Sequence, residues 1–148
     1  MNAIPMILHV EDDPNDVLLM QRAFRKISIQ VSIQAVNDGD RAVAYLGGSG
    51  EFADRAKFPL PDLVLLDLKM PRKSGLEVLA WIRSQPYLRR LVVAIFTSSR
   101  HEEDINRAYD LGVNSYLVKP VGFDALLEMT RIIHTYWLTM NEKPTLHE

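Results

Sequence analysis

The sequence predicts an α/β fold, namely a doubly wound, five-stranded parallel sheet with five helices on its two faces. Short runs rich in Val, Ile and Leu alternate along the chain with longer segments of helical spacing. Such alternation is typical of parallel sheets covered on both faces. The length of 148 residues fits one domain, 1–148, with a core at about 6–138 and a loose polar tail at 139–148.

The predicted strands are apolar runs that are too short for helices. They cover residues 6–10, 31–36, 63–66, 91–96 and 115–118. Because most of these runs are apolar throughout instead of alternating with polar residues, they indicate strands that are buried on both faces.

The first two helices have clear start signals. Asp13 can accept a hydrogen bond at the amino terminus of the first helix, and Pro14 suits its first turn. Apolar residues then recur with helical spacing as far as Ile27. A turn signal at 37–39 precedes a short second helix at 39–46, and the glycine- and proline-rich segment 47–62 predicts a long surface loop.

The other three helices are predicted over 74–84, 102–111 and 123–138. Pro86 follows the third helix, and Gly112 ends the fourth. The last helix can turn Phe123, Leu126 and their helical neighbours inward.

Composition excludes several classes of function. The chain has no cysteine, which excludes disulfides, thiol catalysis and cysteine-ligated metals and fits a cytoplasmic protein. The net charge of -2 gives no basic excess for nucleic acid or anionic lipid. No apolar stretch is long enough for a membrane span, and residues 1–5 lack the charged start of a signal peptide.

Polar residues follow four of the five predicted strands, at the sheet edge where ligands bind in such folds. They are Glu11, Asp12 and Asp13 after the first strand, Asp67 after the third, Thr97, Ser98 and Ser99 after the fourth, and Lys119 and Pro120 after the fifth. Neighbouring carboxylates repel, and a hard cation such as Mg²⁺ removes that conflict. Carboxylates, Mg²⁺, a hydroxyl and an ammonium together suit phosphoryl transfer onto an aspartate.

Each of these signals also has a plain structural explanation. An acidic pair or a Thr-Ser-Ser run commonly caps a helix, an aspartate at a strand end commonly makes a turn, and Lys-Pro is a common dipeptide. Their joint occurrence at one sheet edge favours the functional interpretation.

Four segments resemble the receiver domains of two-component response regulators. They are residues 6–13 (MILHVEDD), 63–71 (LVLLDLKMP), 96–99 (FTSS) and 116–120 (YLVKP). The resemblance covers about 6–134 and implies the flavodoxin-like (CheY-like) strand order 2-1-3-4-5.

The resemblance also implies a role for each matching residue. Asp67 would be the phosphoacceptor, and Glu11 and Asp12 the acidic pair that holds Mg²⁺, with Asp12 the more direct ligand. Asp67 would also bind the metal, and Lys69 would supply a backbone carbonyl to it.

A second group of residues would contact the phosphoryl group or respond to it. Thr97 would be the switch hydroxyl, with Ser98 beside it, and Lys119 would bind the phosphoryl group. Tyr116 would be the aromatic ring that reorients on activation, and the bond from Lys119 to Pro120 would be cis.

The implied function is a response regulator that accepts a phosphoryl group from a sensor histidine kinase and signals by a conformational change. Such a domain catalyses only its own phosphorylation and dephosphorylation, so it is not an enzyme acting on other substrates. The loop at 47–62 and the Tyr-Trp-Leu sequence at 136–138 are similar to phytochrome-associated response regulators. The kinase would then be a phytochrome-type photoreceptor.

No output domain follows the last predicted helix, which is typical of a stand-alone receiver whose signal leaves through a partner surface. We expect a homodimer on the face of the fourth helix, fifth strand and fifth helix, where Tyr136, Trp137 and Leu138 form an apolar cluster. The alternative is that Trp137 folds back and covers the core of its own chain.

Three other functions fit parts of the pattern. A phosphorylation-independent adaptor on the same fold would not need the complete acid and lysine set that is present here. A phosphatase with an aspartate nucleophile needs a second acid where Lys69 stands, and a flavin carrier needs a phosphate loop where Glu11 and Asp12 would repel the phosphate.

Overall fold

The computed structural model describes residues 4–27 and 30–146. The expectations for residues 1–3 and for the last two residues of the tail lie outside the described residues. In the described part of the chain, no helix is both long enough and apolar enough to cross a bilayer.

Five parallel strands form one sheet in the order β2-β1-β3-β4-β5. Their bounds are β1 Met6–Val10, β2 Ser32–Val36, β3 Leu63–Leu66, β4 Val93–Thr97 and β5 Ser115–Val118. The predicted strand order is confirmed. The fourth strand begins later than expected because the N–H of Leu91 donates to Leu88 in a turn after the third helix.

Five helices cover the two faces of the sheet. Their bounds are α1 Pro14–Lys26, α2 Gly39–Gly47, α3 Gly75–Ser84, α4 Glu102–Asp110 and α5 Phe123–Ile133. Side chains cap the amino ends of the first three helices, with Asp13 accepting from the N–H of Asn15 at 2.9 Å. The expected last helix changes character at its end, because residues His134–Met140 continue from α5 with the wider π-helical turn.

The core lies in two layers, one on each face of the sheet. Strand residues alternate between them, so that Ile7 packs toward α1 and α5, whereas its neighbour Leu8 packs toward α2 and α3. Both side chains are fully buried, which agrees with the continuous apolar runs in the sequence.

The segment 47–62 is more ordered than the surface loop that the sequence predicts. A short 3-10 turn at Gly50–Phe52 buries Phe52, whose ring centroid lies 5.1 Å from those of both Tyr45 and Phe58. The buried Tyr45 hydroxyl donates to the carbonyl of Pro59 at 2.8 Å. The three aromatic rings come from α2, the 3-10 turn and the irregular stretch after it, so no single periodic pattern predicts their cluster.

Residues 141–146, in the segment that the sequence predicts as a loose tail, make contacts with the rest of the chain. Lys143 forms an ion pair with Asp62 at 3.3 Å, and Leu146 packs against the core. The segment is mostly polar, so its composition does not predict that Leu146 anchors it to the core.

Candidate functional site

The carboxyl ends of β1 and β3 bring two acids together. The N–H of Asp67 donates to Val10 at 3.1 Å, and the N–H of Glu11 donates to Val36 at 3.0 Å, so both acids directly extend the hydrogen-bonded ladder. Both carboxylates are buried. A Cβ at Gly75 would lie 2.1 Å from the carbonyl oxygen of Asp67, so only glycine lets α3 begin this close to the acid.

Lys119 joins the carboxylates of the site into one cluster. Its ammonium lies 2.7 Å from Glu11 Oε1, 3.0 Å from Asp67 Oδ2 and 2.8 Å from Asp16 Oδ2. The predicted residues Glu11, Asp67 and Lys119 are therefore in direct contact. Asp16 was missed by sequence reasoning, although its position in the first turn of α1 places it near the same sheet edge.

The buried charges shift each other's ionisation. Burial raises the pKa of Glu11 to about 7, although Lys119 works against that rise. Burial would also raise the pKa of Asp67, but the hydrogen bond and charge of Lys119, together with Thr97 and Glu11, outweigh burial and hold that pKa below its ordinary value. The pKa of Lys119 is raised, because its hydrogen bonds to Asp16, Glu11 and Asp67 outweigh the effect of burial. The structure therefore keeps Asp67 ionised.

The acids of this cluster fit a hard divalent cation. One oxygen each from Glu11, Asp12 and Asp67 lies within 4.8 Å of the others, and Asp12 is exposed to solvent. Oxygen ligands of this kind suit Mg²⁺ and Mn²⁺. The Lys69 side chain is exposed, and the backbone N–H of Lys69 donates to Asp67 Oδ1 at 3.4 Å. A metal-binding role for the Lys69 carbonyl stays a prediction.

The last residue of β4 and the loop after it add hydroxyl groups near the acids. Thr97 is buried, and a hydrogen bond from its side chain helps to lower the pKa of Asp67. Ser98 is exposed, whereas the buried Ser99 donates to Asp104 at 2.6 Å. The Tyr116 hydroxyl donates to the carbonyl of Ser99 at 3.0 Å. Ser99 is thus more deeply involved in this network than the sequence indicates, and the roles of Thr97, Ser98 and Tyr116 stay predictions.

The expected cis bond between Lys119 and Pro120 is not found, because every peptide bond in the described part of the chain is trans. The trans form is the commoner one even before proline. With this bond trans, the Lys119 ammonium still reaches Asp67.

Comparison with known proteins agrees with this geometry. Residues 7–131 match the family model of the response regulator receiver domain. Response regulator Rcp1 of Synechocystis sp. is 38% identical over 137 residues, which are 93% of this chain and 91% of Rcp1. The crystal structure of the Mn²⁺-bound form of Rcp1 has a TM-score of 0.84 at 37% identity and covers 95% of this chain and 99% of that one.

Two further proteins are equally similar in sequence. The phosphorylated cyanobacterial phytochrome response regulator RcpA has a TM-score of 0.89 at 38% identity, covering 97% of this chain and 100% of the RcpA chain. The probable methanogenesis regulatory protein FilR2 of Methanothrix harundinacea is 38% identical over 142 residues, which are 94% of this chain and 87% of FilR2. The family match runs from β1 into α5, and the chain therefore belongs to the response regulator receiver domains, which are signalling domains of two-component systems.

Proposed function

We propose that Asp67 accepts a phosphoryl group from a sensor histidine kinase, with Mg²⁺ bound at Glu11, Asp12 and Asp67. The observation that carries this proposal is the contact of Lys119 with Asp67 at 3.0 Å inside a cluster of three further acids. An adaptor that does not use phosphate would have no need to hold an ionised aspartate beside a lysine at the sheet edge.

The proposed transfer is a simple displacement at phosphorus. An oxygen of the ionised Asp67 attacks the phosphorus of a phosphohistidine, so that a P–O bond forms while the P–N bond breaks. The imidazole nitrogen keeps the bonding electron pair and takes up a proton. The bound cation would neutralise charge on the phosphoryl oxygens, and the Lys119 ammonium would pair with one of them. Hydrolysis returns Asp67 to a carboxylate when water attacks the phosphorus and the P–O bond breaks.

We further propose that the kinase is a phytochrome-type photoreceptor, because RcpA is a phytochrome response regulator. FilR2, a probable methanogenesis regulatory protein, has the same 38% sequence identity to this chain, so the input must be tested directly. The experiment is phosphotransfer from a panel of purified histidine kinases, phytochrome-type kinases included, to the wild type and to Asp67→Asn. We expect a phytochrome-type kinase to label the wild type rapidly and to leave the Asp67→Asn variant unlabelled. Preferential labelling by a kinase of another class would overturn the photoreceptor assignment, and labelling of the Asn variant would overturn the phosphoacceptor.

The output surface that we propose is a homodimer interface on α4, β5 and α5. β5 is an edge strand, and an open apolar groove lies between it and the end of α5. Ile132 and Tyr136 on this groove are 58% and 51% exposed. Exposed apolar side chains of this size, clustered at a sheet edge, support an interface with a second copy.

A further inference from the structure

Asp16 is a charged contact of the site that the motifs of the sequence do not assign. It lies in the first turn of α1, and its carboxylate Oδ2 is 2.8 Å from the Lys119 ammonium. The Asp16 side chain is 32% exposed, whereas those of Glu11 and Asp67 are 1% and 8% exposed. Asp16 therefore approaches the ammonium from the solvent side of the cluster.

The three partners of Lys119 differ in what a metal ion would do to them. An ammonium group has three N–H donors, and here three carboxylates lie within 3.0 Å of it. Glu11 and Asp67 belong to the set of oxygens that can hold a cation, whereas Asp16 does not. A bound metal would thus share the carboxylate oxygens of Glu11 and Asp67 with Lys119 and leave the contact with Asp16 in place.

We infer that Asp16 is a positioning residue that acts through Lys119, holding the ammonium beside Asp67 while a metal ion takes the oxygens of Glu11 and Asp67. This inference rests on the proposed function, in which metal and phosphoryl group share the site. Without Asp16, the ammonium has only the two metal-site acids as partners. It then competes with the metal for their oxygens, because two cations cannot both be neutralised by the same pair of carboxylates.

A simpler role for Asp16 is a through-space charge that attracts any cation to the site. The two roles make different predictions when Lys119 is absent. A through-space charge attracts the metal equally well without the lysine, whereas a positioning residue has nothing left to position. A double-mutant cycle separates the two roles.

The experiment measures Mn²⁺ affinity by the electron paramagnetic resonance signal of the free ion, in the wild type, Asp16→Asn, Lys119→Met and the double variant. We expect Asp16→Asn to weaken Mn²⁺ binding roughly three-fold or more when Lys119 is present. We expect a change below about two-fold when Lys119 is replaced. Equal effects in the two backgrounds, or no effect in either, would overturn the inference.

The matched control is Asp40→Asn, which removes the same charge from the first turn of α2 at an exposed position. Asp40→Asn should leave Mn²⁺ affinity unchanged. If it weakens Mn²⁺ binding as much as Asp16→Asn does, the effect of Asp16 is one of net charge and the inference is overturned. Thermal unfolding of each metal-free variant checks that the fold is intact. Beryllofluoride uptake by the Mg²⁺-bound wild type tests the proposed function separately. Failure of uptake would contradict the phosphoacceptor, whereas uptake together with an additive cycle would contradict only the role of Asp16.

Discussion

The Tyr116 hydroxyl donates a hydrogen bond to the carbonyl oxygen of Ser99 at 3.0 Å, which joins β5 to the loop after β4. The loop follows directly on Thr97, the last residue of β4, so the bond connects the proposed output face to the site. In this structure the tyrosine is half-buried and held toward the loop. The bond gives the proposed switch residue a defined resting position.

Tyr116→Phe should lower the free energy of unfolding by about 1 kcal/mol, because it removes one partly buried hydrogen bond and leaves the Ser99 carbonyl without this donor. Urea unfolding of the metal-free protein measures the change. Tyr109→Phe is the control, since Tyr109 lies on α4 with 52% of its surface exposed. An unchanged stability in Tyr116→Phe would show that this bond does not contribute in solution.

Asp12→Ala should weaken Mg²⁺ binding more than Glu11→Ala does. The Asp12 carboxylate is exposed and free to turn toward an ion, whereas Glu11 Oε1 is paired with Lys119 and Oε2 accepts from the N–H of Asp13 at 3.2 Å. We expect a loss of roughly ten-fold or more for Asp12→Ala, because losing even a hydrogen-bonding partner of a metal ligand typically costs about that much. Calorimetric titration with Mg²⁺ measures both variants, and a larger loss in Glu11→Ala would reverse the assignment of the direct ligand.

His9 and Glu11 should give opposite pH dependences to the stability of the metal-free protein. Burial, and then the charge of Lys119, lowers the pKa of His9 to about 4, so the unfolded chain binds more protons and stability rises with pH. Burial raises the pKa of Glu11 to about 7, so the folded chain binds more protons and stability falls with pH. Between about pH 5 and 7 the two changes are each about 2 kcal/mol and nearly cancel.

Single variants should expose each half of this compensation. With chelator present, the free energy of unfolding of Glu11→Gln should rise from about pH 5 to 7, because only the effect of His9 remains. That of His9→Leu should fall over the same range, because only the effect of Glu11 remains. The free energy of unfolding in urea at several pH values measures both slopes. Parallel slopes in the two variants would contradict the opposite signs.

Two aromatic neighbours at the carboxyl end of the chain should behave differently. Tyr136 is half exposed, whereas Trp137 packs against the core under α1 and α5. Ile132 lies beside Tyr136 on the exposed groove, so we expect Ile132→Glu to dissociate the proposed dimer without unfolding the monomers. We expect Trp137→Ala to lower the free energy of unfolding by about 3 kcal/mol. Sedimentation velocity and urea unfolding separate the two effects. A wild type that is monomeric at high concentration, with or without beryllofluoride, would contradict the dimer.

Most of the fold could be predicted from the sequence because its signals are local. The strands at Met6–Val10, Leu63–Leu66 and Ser115–Val118 have the bounds that their apolar runs predict. The parallel arrangement then places Glu11, Asp67 and Lys119 at one sheet edge by topology alone. The contact of these acids with the lysine could therefore be predicted from that placement.

The remaining features depend on contacts between distant parts of the chain. Asp16 has no motif, and only the packing of α1 against α5 brings it to Lys119, which lies 103 residues away in the loop between β5 and α5. The cluster around Phe52 and the anchor at Leu146 likewise bring together side chains from separate elements of the chain. The sequence pattern does not contain these pairings, so only the folded structure reveals them.

Intact-mass spectrometry after incubation with acetyl phosphate and Mg²⁺ shows whether Asp67 is the phosphoacceptor. The wild type should gain the mass of one phosphoryl group, chelator should prevent this gain, and Asp67→Asn should not show it. Thr97→Ala should still be labelled, since the hydroxyl assists but does not accept the group. A phosphoryl group on the Asp67→Asn variant, at the same level as on the wild type, would show that Asp67 is not the phosphoacceptor.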